Sequence, residues 1–197
     1  MKLHDLAVSG NCYKVRLLFA QLGIEYERIP HELIPLDERD DSLRRGNPAS
    51  RLPLVEFDDG KTLAESNAIL CYFAEGTPFL PSDPFERARA MQWLFFEQNQ
   101  HEPNVATAHY WKFLSGRAEE KADVFPTWLE RGQEALDAMD RQLAQGPFIL
   151  GERYSICDIA LFAYTQKAKK TGYDVGANIE RWMNAMREQP GYVALEG

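Results

Sequence analysis

The chain has 197 residues, 45% of them hydrophobic and 26% charged, a balance that excludes a disordered polymer and allows either one large domain or two small ones. Its 30 acids outnumber its 22 bases, and no dense Lys/Arg tract offsets the net charge of -8, which argues against a nucleic-acid partner. Three widely spaced cysteines, Cys12, Cys71 and Cys157, suit neither a disulfide framework nor a zinc site and fit a reducing cytosol, and no apolar run marks export or a membrane span.

In chain order, LHDLAV at 3–8 is a short apolar-rich run that stops at Ser9-Gly10-Asn11, a strand followed by a turn. From Cys12 to Leu22, Val15, Leu18, Phe19 and Leu22 repeat at helical spacing, and Gly23 stands where a helix closes with a left-handed residue. Ile24 to Ile29 predicts a second strand; the charged stretch from Pro30 to Arg45 has no clear pattern and leads to Asn47-Pro48. Leu54–Phe57 and Thr62–Leu63 flank Asp58-Asp59-Gly60-Lys61, whose Asp-Gly step favours a tight hairpin. Ser66 offers an N-cap for a helix bearing Ile69, Leu70, Tyr72 and Phe73. The order so far is βαβ, a variable segment, then ββα.

Two proline-rich breaks, Thr77-Pro78 and Pro81-Ser82-Asp83-Pro84, end the strand signals, so residues 1–77 and 84–197 are expected as separate domains, the second all-helical. Asp83 with Glu86 can cap a long helix that carries Pro84 in its first turn, and further helices are expected near 119–144, 156–170 and 176–188.

Ser9 sits where a strand ends and a helix begins. Its hydroxyl and the neighbouring N–H groups favour an anion: the helix terminus contributes roughly 0.3 to 1 kcal/mol and a hydrogen bond to a charged acceptor about 1.5 to 3. Together these would lower a bound thiol's pKa by about one to three units and leave it largely thiolate at neutral pH. The plainer alternative is that Ser9 only caps a helix. Likewise Pro53 is a proline at a strand start, where a cis bond would free the Leu52 backbone for an extended peptide, and Glu65-Ser66 at a helix N-terminus suits an anionic group or a simple cap.

Taken together, Ser9-x-x-Cys12-x-x-Val15, Asn47-Pro48, Arg51-Leu52-Pro53-Leu54-Val55 and Glu65-Ser66-Asn67-Ala68-Ile69 resemble the glutathione-binding half of the cytosolic glutathione transferases. In the second half, GERYSICDIA at 151–160 resembles that family's capping box and hydrophobic staple, with Ser155 as N-cap, Asp158 at N3 and Tyr154 facing Ile159. The resemblance implies an α/β plus all-α protein with a thioredoxin-like N-terminal domain, and a cytoplasmic homodimer. Glutathione is the implied co-substrate, with no metal. By the same resemblance Ser9 would hold the glutathione thiolate, Leu52 would pair its backbone with the cysteinyl unit, Pro53 would be cis, Glu65 and Ser66 would receive the γ-glutamyl end, and Arg51 would approach the glycine carboxylate.

The implied reaction is thiolate attack on a small hydrophobic electrophile. Alternatives are a non-catalytic glutathione-binding module and a glutathione-dependent disulfide reductase or peroxidase. Serine cannot form the mixed disulfide that cysteine-bearing relatives use, and Cys12 reads as a small buried hydrophobe. For the electrophile's pocket, Asn11 in the first turn and one face of the long helix, with Glu97, His101, Asn104, Ala108 and Trp111 at about 100° per residue, are the candidates. Pro103 should bend that helix beside His101 and Glu102. His4, His31 and His109 form no metal-ligand spacing with His101.

Overall fold

The computed structural model describes residues 1–34 and 41–196, apart from the Ser42 side chain, so the middle of the charged stretch from Pro30 to Arg45 lies outside the described residues. The chain divides into two units: Met1–Thr77 with the segment from Pro190 onward, and Pro78–Gln189.

In the first unit the order is β1 (Lys2–Asp5), α1 (Gly10–Leu22), β2 (Glu27–Pro30), α2 (Asp41–Gly46), β3 (Leu54–Glu56), β4 (Thr62–Ala64) and α3 (Ser66–Ala74). Among the described residues the strands form one sheet ordered β2-β1-β3-β4. β1 runs parallel to β2 across the α1 connection, whereas β3 is antiparallel to both β1 and β4. Leu3 pairs with Val55, and both join Val15 and Phe19 of α1 and Ile69 of α3 in a core without exposed surface. This is the thioredoxin-like βαβ-ββα arrangement that the resemblance implies.

Four local features depart from the sequence expectation. β1 ends at Asp5, not residue 8, because Ser9 N–H turns back to the Leu6 carbonyl (3.0 Å). The second strand starts at Glu27, because Ile24 closes α1: its N–H bonds the Phe19 carbonyl (2.9 Å) while Gly23, at φ 66°, bonds Ala20. The hairpin loop has three residues; Phe57 N–H pairs with the Lys61 carbonyl (2.9 Å) and only Gly60 takes a positive φ (82°). Glu65, at φ 67°, holds the N-cap position of α3, which makes Ser66 its first helical residue.

The second unit contains α4 (Pro84–Phe96), a π-helical segment (Glu97–Ala106), α5 (Thr107–Phe113), a 3₁₀ turn (Ala118–Lys121), α6 (Phe125–Leu143), α7 (Ile156–Thr165), α8 (Ala168–Thr171) and α9 (Ala177–Arg187). Asp83 caps α4 through the N–H groups of Phe85 and Glu86, both at 3.0 Å. Pro103, lacking a donor, falls inside the π-helical segment, where the α-helical ladder is already broken. The helix expected over 156–170 is two helices: Thr165 bonds back to the Leu161 carbonyl (2.8 Å), a contact that bends helices, and α8 begins afresh at Ala168. No described helix is long and apolar enough to cross a membrane.

The segment from Pro190, which the sequence reading leaves with the helical half, packs with the first unit. The Tyr13 hydroxyl donates to the Val193 carbonyl (2.8 Å), and Arg28 grips Glu196 through Nη1 and Nη2 at 2.8 and 3.1 Å.

Candidate active site

Ser9 has the extended backbone of an N-cap (φ -76°, ψ 124°), and its Oγ accepts the Cys12 N–H at 3.3 Å. The capping role is therefore real. A hydroxyl that accepts still has a hydrogen to donate; the Ser9 side chain is partly exposed, and its hydroxyl lies near enough to the buried Cys12 thiol to favour that group's anion slightly. The first N–H groups of α1 beside it have no intrahelical partners.

Two further pieces of the first unit converge on α1. The Asn11 side chain accepts the Ser66 hydroxyl at 3.1 Å, and the buried Lys14 ammonium lies 3.4 Å from Ser66 Oγ and 3.5 Å from Asn67 Oδ1. The first turns of α1 and α3 are thus tied together, and Ser66 stands against a cation. Glu65, at the head of α3, is exposed.

The third piece is the loop before β3. Asn47 shapes it: its Nδ2 donates to the Arg51 carbonyl (2.9 Å), its Oδ1 accepts the Ala49 N–H (3.1 Å), and its own carbonyl accepts the Ser50 N–H (2.7 Å). Leu52-Pro53 is cis. Neither the N–H nor the carbonyl of Leu52 has a hydrogen-bond partner among the described residues. Arg51 is exposed, its side chain in solvent. Ser50 and Glu65, the two non-glycine residues with positive φ (53° and 67°) among those described, flank this loop and α3. Such backbone costs roughly 1–3 kcal/mol per residue and collects at ligand sites.

Cys12 has no exposed surface, and its thiol is pushed up to about 12 by burial and, secondarily, by the negative Asp5. It behaves as the small hydrophobe the sequence suggests. In the helical unit the candidate face divides. Glu97, His101 and Ala108 have no exposed surface, and His101 Nε2 lies 2.9 Å from the Thr165 hydroxyl, so these line no open pocket in this structure. Asn104, with its Nδ2 on the Gln100 carbonyl, and Trp111, with the Lys121 ammonium 5.3 Å over its ring, keep partial exposure.

Sequence reasoning did not find Lys14, Arg16 or the positive φ of Ser50 and Glu65. Two cations among Tyr13, Val15, Leu17 and Leu18 on a helix without a polar face were a readable signal. The strained residues carried none, since neither is Gly or Asn.

A thioredoxin-like unit with a serine at the β1–α1 junction and a cis-proline before β3, together with a helical unit, is the architecture of a glutathione-transferase-type protein. The family comparison agrees. Residues 8–75 match the model for the glutathione S-transferase N-terminal domain and residues 86–185 that for the C-terminal domain. The chain belongs to the glutathione S-transferase family. It is similar to a glutathione S-transferase from Pseudomonas fluorescens Pf-5 (39% identity, 98% of both chains, TM-score 0.94) and to one from Xanthobacter autotrophicus Py2 (35%, 98% and 96%, TM-score 0.92). Among curated relatives it is similar to disulfide-bond oxidoreductase YfcG of Escherichia coli (26% identity, 93% of this chain and 89% of that protein).

Proposed function

We propose that this protein binds reduced glutathione in its first unit and holds the thiol as a thiolate beside Ser9, ready to attack a small hydrophobic electrophile. The observation that carries the proposal is the Ser9 hydroxyl, which caps α1 and still has a hydrogen to donate. A sulfur there would receive that hydrogen and face the positive end of α1, which favours the anion. The extended tripeptide would run past the unpaired Leu52 backbone towards Ser66, whose hydroxyl is backed by Lys14, and Glu65 would meet its amino group. Arg51, exposed beside the cis-proline, would approach the glycine carboxylate. For the electrophile, the helical unit offers Asn104 and Trp111, which keep partial exposure. The proposed assembly is a cytoplasmic homodimer; sedimentation as a monomer at micromolar concentration would overturn that part.

The test compares wild type with Ser9→Ala in calorimetric titration with reduced glutathione and in turnover of an aromatic halide. Both proteins should bind, and Ser9→Ala should lose on the order of 10- to 100-fold in rate, the equivalent of one to two pKa units on the thiol. Binding without turnover in either protein would make this a non-catalytic module. No binding at all ends the proposal.

The likeness to a disulfide-bond oxidoreductase favours a second reading. The same bound thiolate would attack a disulfide sulfur, forming a mixed disulfide and releasing a thiolate, and a second glutathione would resolve it. Cys12, with its thiol pushed up to about 12, is not the nucleophile. Turnover of a small disulfide faster than of the halide, unchanged in Cys12→Ser, would establish this reading; loss of disulfide turnover in Cys12→Ser would refute it.

A further inference from the structure

One guanidinium reaches the loop that carries Ser9. Arg16, on α1 and 6% exposed, donates through Nη1 to the Asp5 carboxylate and through Nη2 to the Ala7 carbonyl at 2.8 Å, with Nη1 also 3.4 Å from the Leu6 carbonyl. Asp5, the last residue of β1, has no exposed surface and is held on its other oxygen by Arg28 Nε at 2.6 Å. Arg28 in turn grips Glu196 in the returning C-terminal segment. A continuous line of charged contacts therefore runs from residue 196 through Arg28, Asp5 and Arg16 to the peptides of residues 6–8.

The consequence for Ser9 follows from peptide geometry. In a planar trans peptide the carbonyl and the next N–H point in opposite directions. With the Ala7 carbonyl turned onto Arg16, the Val8 N–H must face away from it. The Leu6 carbonyl, turned the same way, accepts the Ser9 N–H at 3.0 Å. The loop is thereby fixed in the one orientation that delivers Ser9 to the head of α1 as an N-cap.

We infer that Arg16, with Asp5, is a positioning residue for Ser9: its fork locks the carbonyls of Leu6 and Ala7 inward and so sets where the Ser9 hydroxyl points. The inference rests on the reading of Ser9 as the thiolate holder. A planar fork is required, since one group must meet a carboxylate and a carbonyl at once. A lysine carries the charge but cannot span both.

The test uses the full chain with reduced glutathione as ligand. It measures the ultraviolet thiolate absorbance of the bound tripeptide at neutral pH, and kcat and KM with an aromatic halide. Arg16→Gln should lose most of the thiolate absorbance and on the order of 10- to 100-fold in kcat, the scale of a reacting group displaced by about 1 Å, while KM for glutathione changes much less. Arg16→Lys should resemble Arg16→Gln. Wild-type kcat and absorbance in a folded Arg16→Gln protein, or rescue of both by lysine, would overturn the inference. Should Arg16→Gln fail to fold, Arg28→Gln, on the exposed side of Asp5, should give a smaller loss of the same two signals; no loss there overturns it equally. Ser9→Ala runs in parallel. An effect in Ser9→Ala without one at Arg16 sinks only the positioning role, whereas no effect in Ser9→Ala sinks the Ser9 reading itself.

Discussion

Two serines open two helices in this protein, and their first turns look alike. Ser9 accepts the Cys12 N–H at 3.3 Å at the start of α1, and Ser155 accepts the Cys157 N–H at 3.3 Å at the start of α7. What separates them is the residue three positions on. In α7 it is Asp158, which accepts both the Ser155 N–H and the Ser155 hydroxyl at 2.9 Å, so the serine is fully engaged and fully buried. In α1 it is Cys12, a neutral buried thiol in place of a carboxylate, and the Ser9 hydroxyl stands at a partly exposed position. The same cap becomes folding machinery in one helix and a solvent-reachable hydroxyl in the other, according to whether a carboxylate follows.

The comparison breaks most severely at Asp158. Its two oxygens serve Ser155, the Ile149 N–H (2.9 Å) and the Trp182 indole N–H (3.0 Å), joining α7, α9 and the chain before α7. Asp158→Ala would orphan these buried donors, at roughly 1–3 kcal/mol each before relaxation. We expect a loss of at least about 3 kcal/mol in unfolding free energy, visible as a midpoint lower by roughly 6–12 °C. A midpoint within a degree or two of wild type would mean that the box is ornamental. Next in size is Ser9→Ala in turnover, where the 10- to 100-fold loss expected above amounts to about 1.4 to 2.7 kcal/mol.

Much of this contrast was legible before any coordinates. The Ser155–Asp158 box could be read from the residues because its logic is local, three positions on one turn. Gly23 and the hairpin at Gly60 were readable for the same reason, whereas the cis bond at Pro53 was expected only from the family resemblance. Ile24 was misread as strand because its apolar side chain serves equally to close α1, and pattern alone does not separate the two uses. In the helical unit, the 100° face drawn from Glu97 to Trp111 assumed an α-helix, whereas Glu97–Ala106 is π-helical, and periodicity in any case does not report whether a side meets solvent. The Asp5–Arg16–Arg28–Glu196 line was not legible at all. It joins residues up to 191 positions apart, with the C-terminal segment returning to the first unit.

A gentler probe of the same contrast uses pH. Burial raises the Asp158 carboxyl to about 6, against the lowering pull of the Ile149, Trp182 and Ser155 donors. A carboxyl raised in the folded state contributes stability that is complete below its unfolded value near 4 and is lost as pH climbs through about 6. Wild type should therefore gain about 1 kcal/mol relative to Asp158→Asn between pH 7 and pH 5, measured by denaturant unfolding of both proteins at each pH. A margin that shrinks at pH 5 would place Asp158 as a permanently charged group and remove burial as the controlling influence.

The smallest effect is the most discriminating. As a cap, Ser9 makes one hydrogen bond to a main-chain donor, so Ser9→Ala should cost only about 0.5–1 kcal/mol of stability, and Ser9→Gly a few tenths, because glycine exposes the helix end to water and is nearly as good a cap. As a donor to sulfur, the hydroxyl has no substitute in either variant. Stability and rate should therefore part company in Ser9→Gly: an unfolding curve close to wild type, with turnover as poor as in Ser9→Ala. If glycine instead restores the rate along with the stability, the hydroxyl does no more for glutathione than for the helix, and Ser9 becomes a second Ser155 that lacks its aspartate.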